Sequence, residues 1–263
     1  MGATWSLFRA GFRHQTSYRF ALVSGLLTNV FFGLVRTAVF LAVYEGLEPR
    51  GDRVNGLDLA DAVTYVWVLQ SVFAVTWSPW LRELPSRIRS GEWTAELLRP
   101  GSVLGRHLAY DCGRTASLLA FRAPIPLALA AIVFDLRLPT SVAGVALFVL
   151  SLVFAAFSAV CLRFLLGTIA FWSPDFRGIH SMIFGPVYLL SGFVIPVEFF
   201  PGVMRTFATV GPLSALLRSP VAVAGGRDVI ASIALQVLWI GVFVLACQVV
   251  LARASRRMVV FGG

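Results

Sequence analysis

The fold of this chain is decided by segments such as residues 142–164, which read VAGVALFVLSLVFAAFSAVCLRF. Arg163, one position before the end, is the only charged residue in this segment. A helix that crosses the hydrocarbon core of a bilayer needs about 20 mostly apolar residues. Residues 142–164 therefore predict a transmembrane helix.

The composition of the whole chain agrees with this interpretation. Of the 263 residues, 58% are hydrophobic and 13% are charged, whereas soluble domains carry about 25% charged residues. A soluble domain of this length cannot bury so much apolar surface in a single core. The composition excludes soluble enzyme folds and indicates a polytopic membrane protein.

Other apolar segments complete the expected fold. They lie at residues 20–44, 57–81, 108–134, 182–197 and 229–251, and segment 182–197 is short. The loops between them leave no room for a large soluble domain. We therefore expect an all-α protein with six transmembrane helices, forming one transmembrane domain over residues 1–263.

The basic residues indicate the orientation of the chain. All 22 are arginines, so the chain lacks the lysine that a phosphate-binding ATPase loop requires. The arginines lie in short stretches beside apolar segments, which is typical of membrane topology and contact with anionic lipids rather than of nucleic-acid binding. With the N-terminus in the cytoplasm, thirteen arginines lie inside and six outside. This excess favours two cytoplasmic termini.

Residues 1–19 precede the first predicted span. Trp5, Phe8 and Phe12 recur at helical spacing, while Arg9 and Arg13 occupy other positions. This pattern is typical of an amphipathic helix at the membrane interface. The alternative is a positively charged lead-in to the first span.

The longest inside connection, residues 82–106, carries a second amphipathic pattern. Glu92 and Glu96 share a helix face, Trp93 and Leu97 form an apolar stripe beside them, and Arg99 follows. Pro100 and Gly101 then end the helix. Such a helix suits docking to another protein. The alternative is a solvated connector.

Residues 185–227 contain five prolines in apolar surroundings. Each proline removes a backbone donor and opposes a continuous helix. Irregular backbone at membrane depth persists only where protein or a water-filled cavity surrounds it. Segment 196–227 is therefore expected to re-enter the membrane from the outer face, between spans five and six, and its marker residues are Pro196, Glu198, Pro201, Pro212 and Pro220.

Some polar residues fall inside the predicted spans. Arg36 and Arg122, with Tyr65 and Gln70, are candidates for lining a substrate path. Alternatively the arginines snorkel or form ion pairs, for instance Arg36 with Asp58 or Asp61. Asp111 and Arg114 are expected to pair with each other. No HExxH, GxSxG or glycine-rich phosphate loop occurs, so no catalytic, metal-binding or cofactor-binding residue is assigned on this chain.

Short motifs along nearly the whole chain make it resemble the membrane subunits of ABC-2 type exporters, and in particular their small six-span bacterial permeases. No single motif is specific for this family, but the order and spacing of the motifs together are. The motifs are Tyr18-Arg19, Thr64-Tyr65-Val66-Trp67, Ile88-Arg89-Ser90-Gly91, Leu97-Leu98-Arg99-Pro100, Ser191-Gly192, Ile195-Pro196, Phe200-Pro201, Pro212 and Pro220.

The resemblance implies a permease that exports substrate from the cytoplasm or the inner leaflet across the bacterial cytoplasmic membrane. ATP and Mg²⁺ would be bound by a dimer of separate cytosolic ABC ATPase subunits. A second permease chain would pair with this one, and the resemblance favours a related chain over an identical copy. Membrane lipids are the remaining expected partner.

The resemblance also implies a coupling helix that contacts the ATPase. In it, Glu92 and Glu96 would face basic residues of the ATPase, and Trp93 and Leu97 would fill an apolar groove. The implied coupling residues are Arg87, Arg89, Gly91, Glu92, Trp93, Glu96, Leu97 and Arg99. Two alternatives are an intramembrane lipid-modifying enzyme, which would need a cluster of His or acidic residues, and a non-transporting scaffold subunit. The cargo stays open, because architecture does not name a substrate.

Overall fold

A computed structural model describes residues 2–46, 56–76, 83–173, 178, 182, 187 and 189–258, without the side chains of residues 19, 94, 97 and 255–258. The described residues form helices and no extended strand. The α-helices are α1 (Gly2–Ser17), α2 (Arg19–Glu45), α3 (Leu59–Thr76), α4 (Glu83–Arg89), α5 (Glu92–Leu98), α6 (Val103–Phe121), α7 (Pro124–Val133), α8 (Val142–Thr168), α9 (Gly202–Val210), α10 (Ser219–Ala224) and α11 (Val229–Met258).

Five helical stretches in the described part are long and apolar enough to cross a membrane. They are Phe20–Glu45, Leu59–Thr76, Val103–Val133, Val142–Phe171 and Val229–Ala254. A sixth crossing would be counted if Gly202–Val210 and Ser214–Ala224, bent by 65° against each other, formed one broken span. The chain is therefore an all-α polytopic membrane protein. In the predicted span 182–197, residues 183–186 and 188 lie outside the described residues, and residues 191–196 are turns rather than helix.

The second span, α3, lies at the centre of the helix bundle. Within its span, 72% of residues are buried, against 17% for each of the spans in α2 and α11. It is also the least apolar of the five, with a mean hydropathy of 1.4. The most buried span is the least apolar because its polar side chains contact protein, whereas lipid covers the apolar faces of the outer helices.

The third span is broken, whereas its sequence predicts one continuous helix over residues 108–134. Helix α6 ends at Phe121 and α7 begins at Pro124. Pro124 has no N–H to donate and its ring opposes the preceding helical turn. The amides of Arg122 and Ala123 both donate to the Leu118 carbonyl, at 2.8 and 3.0 Å, which closes the end of α6.

Helix α1 packs along α6 with backbone in contact. A Cβ atom added to Gly11 would collide with the carbonyl oxygen of Tyr110, and one added to Gly113 would collide with that of Phe8. Small residues at a helix crossing permit such an approach. The predicted helix in residues 1–19 is confirmed, and Trp5, Arg9 and Arg13 are exposed on its other faces. Its place at the membrane interface stays a prediction.

Candidate functional site

Helices α4 and α5, together with Arg99 at the end of α5, are here called the elbow (residues 83–99), which lies along the chain between α3 and α6. Gly91 joins the two helices with a φ of 79°, in the left-handed region that favours glycine. The elbow occupies the segment in which the sequence predicts a coupling helix. That segment is helical, but it consists of two short helices.

Glu96 holds the elbow together from within the chain. Its Oε1 accepts hydrogen bonds from Arg87 Nη2 at 3.0 Å and from Arg99 Nη1 at 3.1 Å. Arg106, on α6, lies 3.6 Å from Glu96 Oε2 and donates to the Pro100 carbonyl at 2.8 Å. Because three arginines of the same chain surround it, Glu96 stabilises the elbow instead of presenting a charge to a partner.

Trp93 anchors α5 to the bundle. Its side chain is 1% exposed and its ring lies 5.9 Å from that of His107, 6.4 Å from that of Phe164 and 6.2 Å from that of Phe171. This burial corrects the expectation that Trp93 fills a groove on an ATPase subunit. The side chain of Leu97, which was expected to do the same, lies outside the described part.

The exposed surface of the elbow carries residues other than Glu96 and Trp93. Leu98 is 84% exposed, and the side chains of Glu92 and Arg99 are 64% and 66% exposed. Arg89 and Gly91 are also exposed. Leu98 was not among the predicted coupling residues, whereas Arg89, Gly91, Glu92 and Arg99 were, and all five are accessible, with Arg87 half-buried.

One ion pair connects the elbow to the spans, and a second connects three of the spans to one another. Arg114, on α6, donates to both carboxylate oxygens of Glu83 at 2.6 and 2.9 Å. Arg163, on α8, donates to Asp111 at 3.1 Å, to Thr115 at 2.7 Å and to the Thr76 carbonyl at 3.0 Å. Asp111 and Arg114, which were expected to pair with each other, thus each bind a partner on another element.

The proline-rich segment lies at the end of the molecule that the sequence predicts to face outside; this end is called the outer end below. Pro201 precedes α9, Pro212 lies in the break before the next helix, and Pro220 lies in the first turn of α10. Residues Ser214–Arg218 form a π-helical turn, an irregularity that is frequent at functional sites. Gln236 of α11 donates to the Ala215 carbonyl at 2.9 Å and to the Ser151 carbonyl at 3.0 Å, so the turn is tied to α8 and α11.

A cavity of about 200 Å³ opens beside this segment. Tyr65, from the centre of α3, lies in its wall and donates its hydroxyl to the Gly192 carbonyl at 2.7 Å. Glu198 and Arg218 face each other across 3.8 Å. The full lining is Gly56, Leu57, Tyr65, Glu198, Arg205, Arg218, Val221, Ala222, Arg227 and Asp228.

The four candidate path residues do not share one site. The Arg36 guanidinium lies 3.7 Å above the ring of Phe193, close to the outer cavity. Arg122 lies at the break of the third span and donates to the Gly25 carbonyl at 3.0 Å. Gly25 is about 16 Å from Arg36 along α2, at about 1.5 Å per residue. Gln70 is buried in α3, and its Nε2 has no hydrogen-bond partner in the described part.

Arg137 was missed as a functional residue by sequence reasoning, although it takes the acidic partners expected for Arg36. Its Nη1 donates to Asp58 at 2.6 Å and to Asp61 at 3.1 Å. These hydrogen bonds raise the pKa of Arg137 above its usual value. Arg137 follows the third span and Asp58 precedes the second, so both lie at the same predicted membrane face. The opposite charges at this face were the signal from which the pairing could have been predicted.

Arg205, Arg218 and Arg227 were also missed as members of a site. In the sequence they are three of the arginines predicted to lie outside the membrane, and they are spread over a proline-rich stretch. Their spacing does not predict that they converge. Gln236 gave no signal either, because one amide in an apolar helix is uninformative without its neighbours. Only the fold places these side chains around Glu198 and the π-helical turn.

Comparison with known proteins gives the family. A family model described as ABC-2 family transporter protein matches residues 34–262, which include all the spans from α3 onward and the C-terminal part of α2. Comparison with curated proteins and with solved structures gave no match. The family is a membrane component of transport and implies association with an ABC ATPase. By this match and its all-helical membrane fold, the chain belongs to the ABC-2 transporter family and is a transporter permease.

Proposed function

We propose that this chain is the permease subunit of an ATP-driven exporter in the bacterial cytoplasmic membrane, with both termini in the cytoplasm. Two cytosolic ATPase subunits bind ATP and Mg²⁺, and a second, related permease chain completes the transport route. The observation that carries this proposal is the elbow, because it is firmly attached to the transmembrane helices and exposes a small contact surface.

A permease driven by ATP needs a stiff element at its cytoplasmic end, since a flexible loop would absorb the movement of the ATPase. Glu83 begins α4 and is bound by Arg114 of α6. Leu84 packs so closely on α8 that a Cβ atom at Gly167 would lie 2.8 Å from its Cδ2. With Trp93 buried as well, a push on α5 is transmitted to both α6 and α8.

From α8 the movement reaches the central span. Arg163 of α8 binds Asp111 and Thr115 of α6 and also the Thr76 carbonyl at the end of α3. Charged hydrogen bonds in a buried setting hold their partners in a defined geometry. We therefore propose that α3, α6 and α8 move as one unit when the elbow moves. Tyr65 of α3 then transmits this movement to the outer cavity.

The contact with the ATPase is assigned to the exposed part of the elbow. Leu98 supplies the apolar contact, and Glu92, Arg89 and Arg99 supply the charges around it. Glu96 and Trp93 maintain the shape of the elbow from inside. This assignment keeps the predicted location of the coupling helix and changes the side chains that contact the partner.

The test is to replace Leu98 by Asp in the full chain, expressed with its ATPase. Leu98→Asp leaves the bundle intact and removes the apolar contact, so the ATPase should no longer co-purify in stoichiometric amount. A matched control is Val203→Asp, because Val203 is 81% exposed at the opposite end. Full retention of the ATPase by Leu98→Asp would show that the contact lies elsewhere. Mass spectrometry of the same complex tests for a second, related permease chain.

Membrane orientation has its own test. Single cysteines replace Arg205 and Arg253 in a chain without Cys112, Cys161 and Cys247, the three native cysteines. A membrane-impermeant maleimide applied to intact cells should label position 205, and position 253 only after the membrane is opened. The reverse pattern would place the termini outside and contradict the proposal.

A further inference from the structure

The outer cavity carries more basic charge than its acidic residues neutralise. Arg205, Arg218 and Arg227 line it together with two carboxylates, Glu198 and Asp228. At neutral pH these five charges leave a surplus of one positive charge. The cavity measures about 200 Å³, and an engineered cavity of about 150 Å³ already admits benzene. There is room for a polyatomic ligand.

The buried ion pair in the cavity leaves hydrogen-bonding capacity unused. Arg218 Nε and Glu198 Oε1 are 3.8 Å apart, which is too long for a hydrogen bond. Their side chains are only 18% and 15% exposed, and Arg218 Nε and Glu198 Oε2 are buried without a hydrogen-bond partner in the described part. Buried polar atoms are normally satisfied by protein, water or a ligand, so Arg218 keeps a donor that a ligand entering the cavity can use.

The surroundings favour an anion over a cation. Three arginines, Arg205, Arg218 and Arg227, line the cavity against two carboxylates. Guanidinium groups match the oxygens of phosphate in pairs and with defined geometry. A cation entering here would meet the three arginines as well as Glu198 and Asp228.

We propose that this cavity binds a phosphate group, carried either by a lipid headgroup or by a soluble phosphate. In this site Arg218 donates to the phosphate oxygens, Arg205 and Arg227 supply the surrounding positive charge, and Glu198 holds Arg218 while the site is empty. The inference does not depend on ATP-driven export, because it uses only the geometry of the outer end.

The experiment measures thermal unfolding of the purified full chain, since a ligand that binds the folded state raises the unfolding temperature by an amount that grows with the ratio of its concentration to its Kd. One arm titrates inorganic phosphate against chloride at equal ionic strength, with the chain in dodecyl maltoside, a detergent without phosphate. The other arm adds phosphatidylglycerol to the same detergent and compares it with an equal amount of diacylglycerol, which lacks the phosphate. A shift in the first arm identifies a soluble phosphate, and a shift confined to the second identifies a lipid headgroup.

Two variants of the ion pair are expected to act in opposite directions. Arg218→Gln removes a charged donor and should weaken binding about tenfold or more. Glu198→Gln removes the competing carboxylate and should strengthen binding. Arg253→Gln makes the same change in charge at an exposed position of α11 and should leave binding unaltered.

An ion pair with a purely structural role predicts a different result. Both Arg218→Gln and Glu198→Gln would then lower the unfolding temperature without ligand, and neither would change the ligand-induced shift. That outcome, or the absence of any shift in both arms for the unaltered chain, would overturn the proposal.

Discussion

Glu83 accepts two hydrogen bonds from Arg114, at 2.6 and 2.9 Å, and so joins the first residue of the elbow to the middle of α6. The arginine side chain is 6% exposed and the glutamate side chain 53% exposed. A buried cation thus depends on a carboxylate that is accessible from one side. Because of this ion pair, a movement of the elbow is coupled to a movement of α6.

Replacement of Glu83 by Gln should loosen the elbow and leave the rest of the bundle folded. Hydrogen bonds to charged groups contribute about 1.5–3 kcal/mol, and the half-exposed position of Glu83 reduces this to about 1–2 kcal/mol. We expect an intact ATPase complex with reduced transport-linked ATP hydrolysis. Glu92→Gln, on the exposed face of the same elbow, is the control for stability, and equal unfolding temperatures for both variants would contradict the prediction.

Replacement of Asp111 by Asn should destabilise the bundle more strongly. Asp111 and Arg163 have side chains 6% and 8% exposed, and removing one partner of a buried ion pair costs about 3–5 kcal/mol. The loss is measured as a lower unfolding temperature in detergent. The double variant Asp111→Leu with Arg163→Met should recover part of it, because no unpaired buried charge is left. A double variant less stable than Asp111→Asn would count against this account.

Replacement of Gly11 by Val should separate α1 from α6. A side chain at this position meets the Tyr110 carbonyl, and overpacking of a tight contact costs about 1–3 kcal/mol. Gly241→Val is the matched control, since a Cβ atom there meets nothing within 4 Å. Cross-linking between cysteines placed on α1 and α6 should fall in Gly11→Val and persist in the control. Unchanged cross-linking would show that the helices tolerate a wider spacing.

Replacement of Gln236 by Leu should disturb the π-helical turn. The change removes the donor for the Ala215 carbonyl and for the Ser151 carbonyl, and each buried group left unsatisfied costs about 1–3 kcal/mol. Maleimide labelling of a cysteine at position 217, where the native Leu217 is 7% exposed, should become faster. Gln248→Leu changes an exposed amide of the same helix and should leave the labelling rate as it was.

Replacement of Trp93 by Ala should cost stability, whereas Leu98→Ala should not. Trp93 is 1% exposed, and truncation of a buried aromatic side chain costs about 3–5 kcal/mol. Leu98 is 84% exposed, so its truncation changes stability by less than about 0.5 kcal/mol. Thermal unfolding of the two variants without ATPase measures the difference directly. A large loss in Leu98→Ala would show that Leu98 is covered within the permease itself.

The sequence alone was sufficient for the class of fold and for most of the spans. The structure has helices over the predicted spans 142–164 and 229–251. Both helices continue several residues further, to Thr168 and Met258. Hydropathy summed over about 20 neighbouring residues reports the preference for lipid directly, and this property does not depend on tertiary contacts. The break at Arg122 was missed because the apolar run continues across Pro124.

The structure of the proline-rich segment was predictable only in part. Its irregular backbone followed from the prolines, and the bend of 65° between its two helical pieces agrees with that interpretation. The π-helical turn and the convergence of Arg205, Arg218 and Arg227 did not follow. Local sequence limits which backbone angles are allowed, but it does not give the position of a loop relative to distant helices.

The sequence by itself determined that this chain is a helical membrane protein with an amphipathic segment in residues 82–106 and an irregular one in residues 196–227, because these properties depend on neighbours along the chain. Only the tertiary structure decided which side chain meets which: Trp93 faces the core, Asp111 binds Arg163, and Arg137 binds Asp58. Such pairs depend on the rotation and depth of separate helices, which are set when the helices pack against one another.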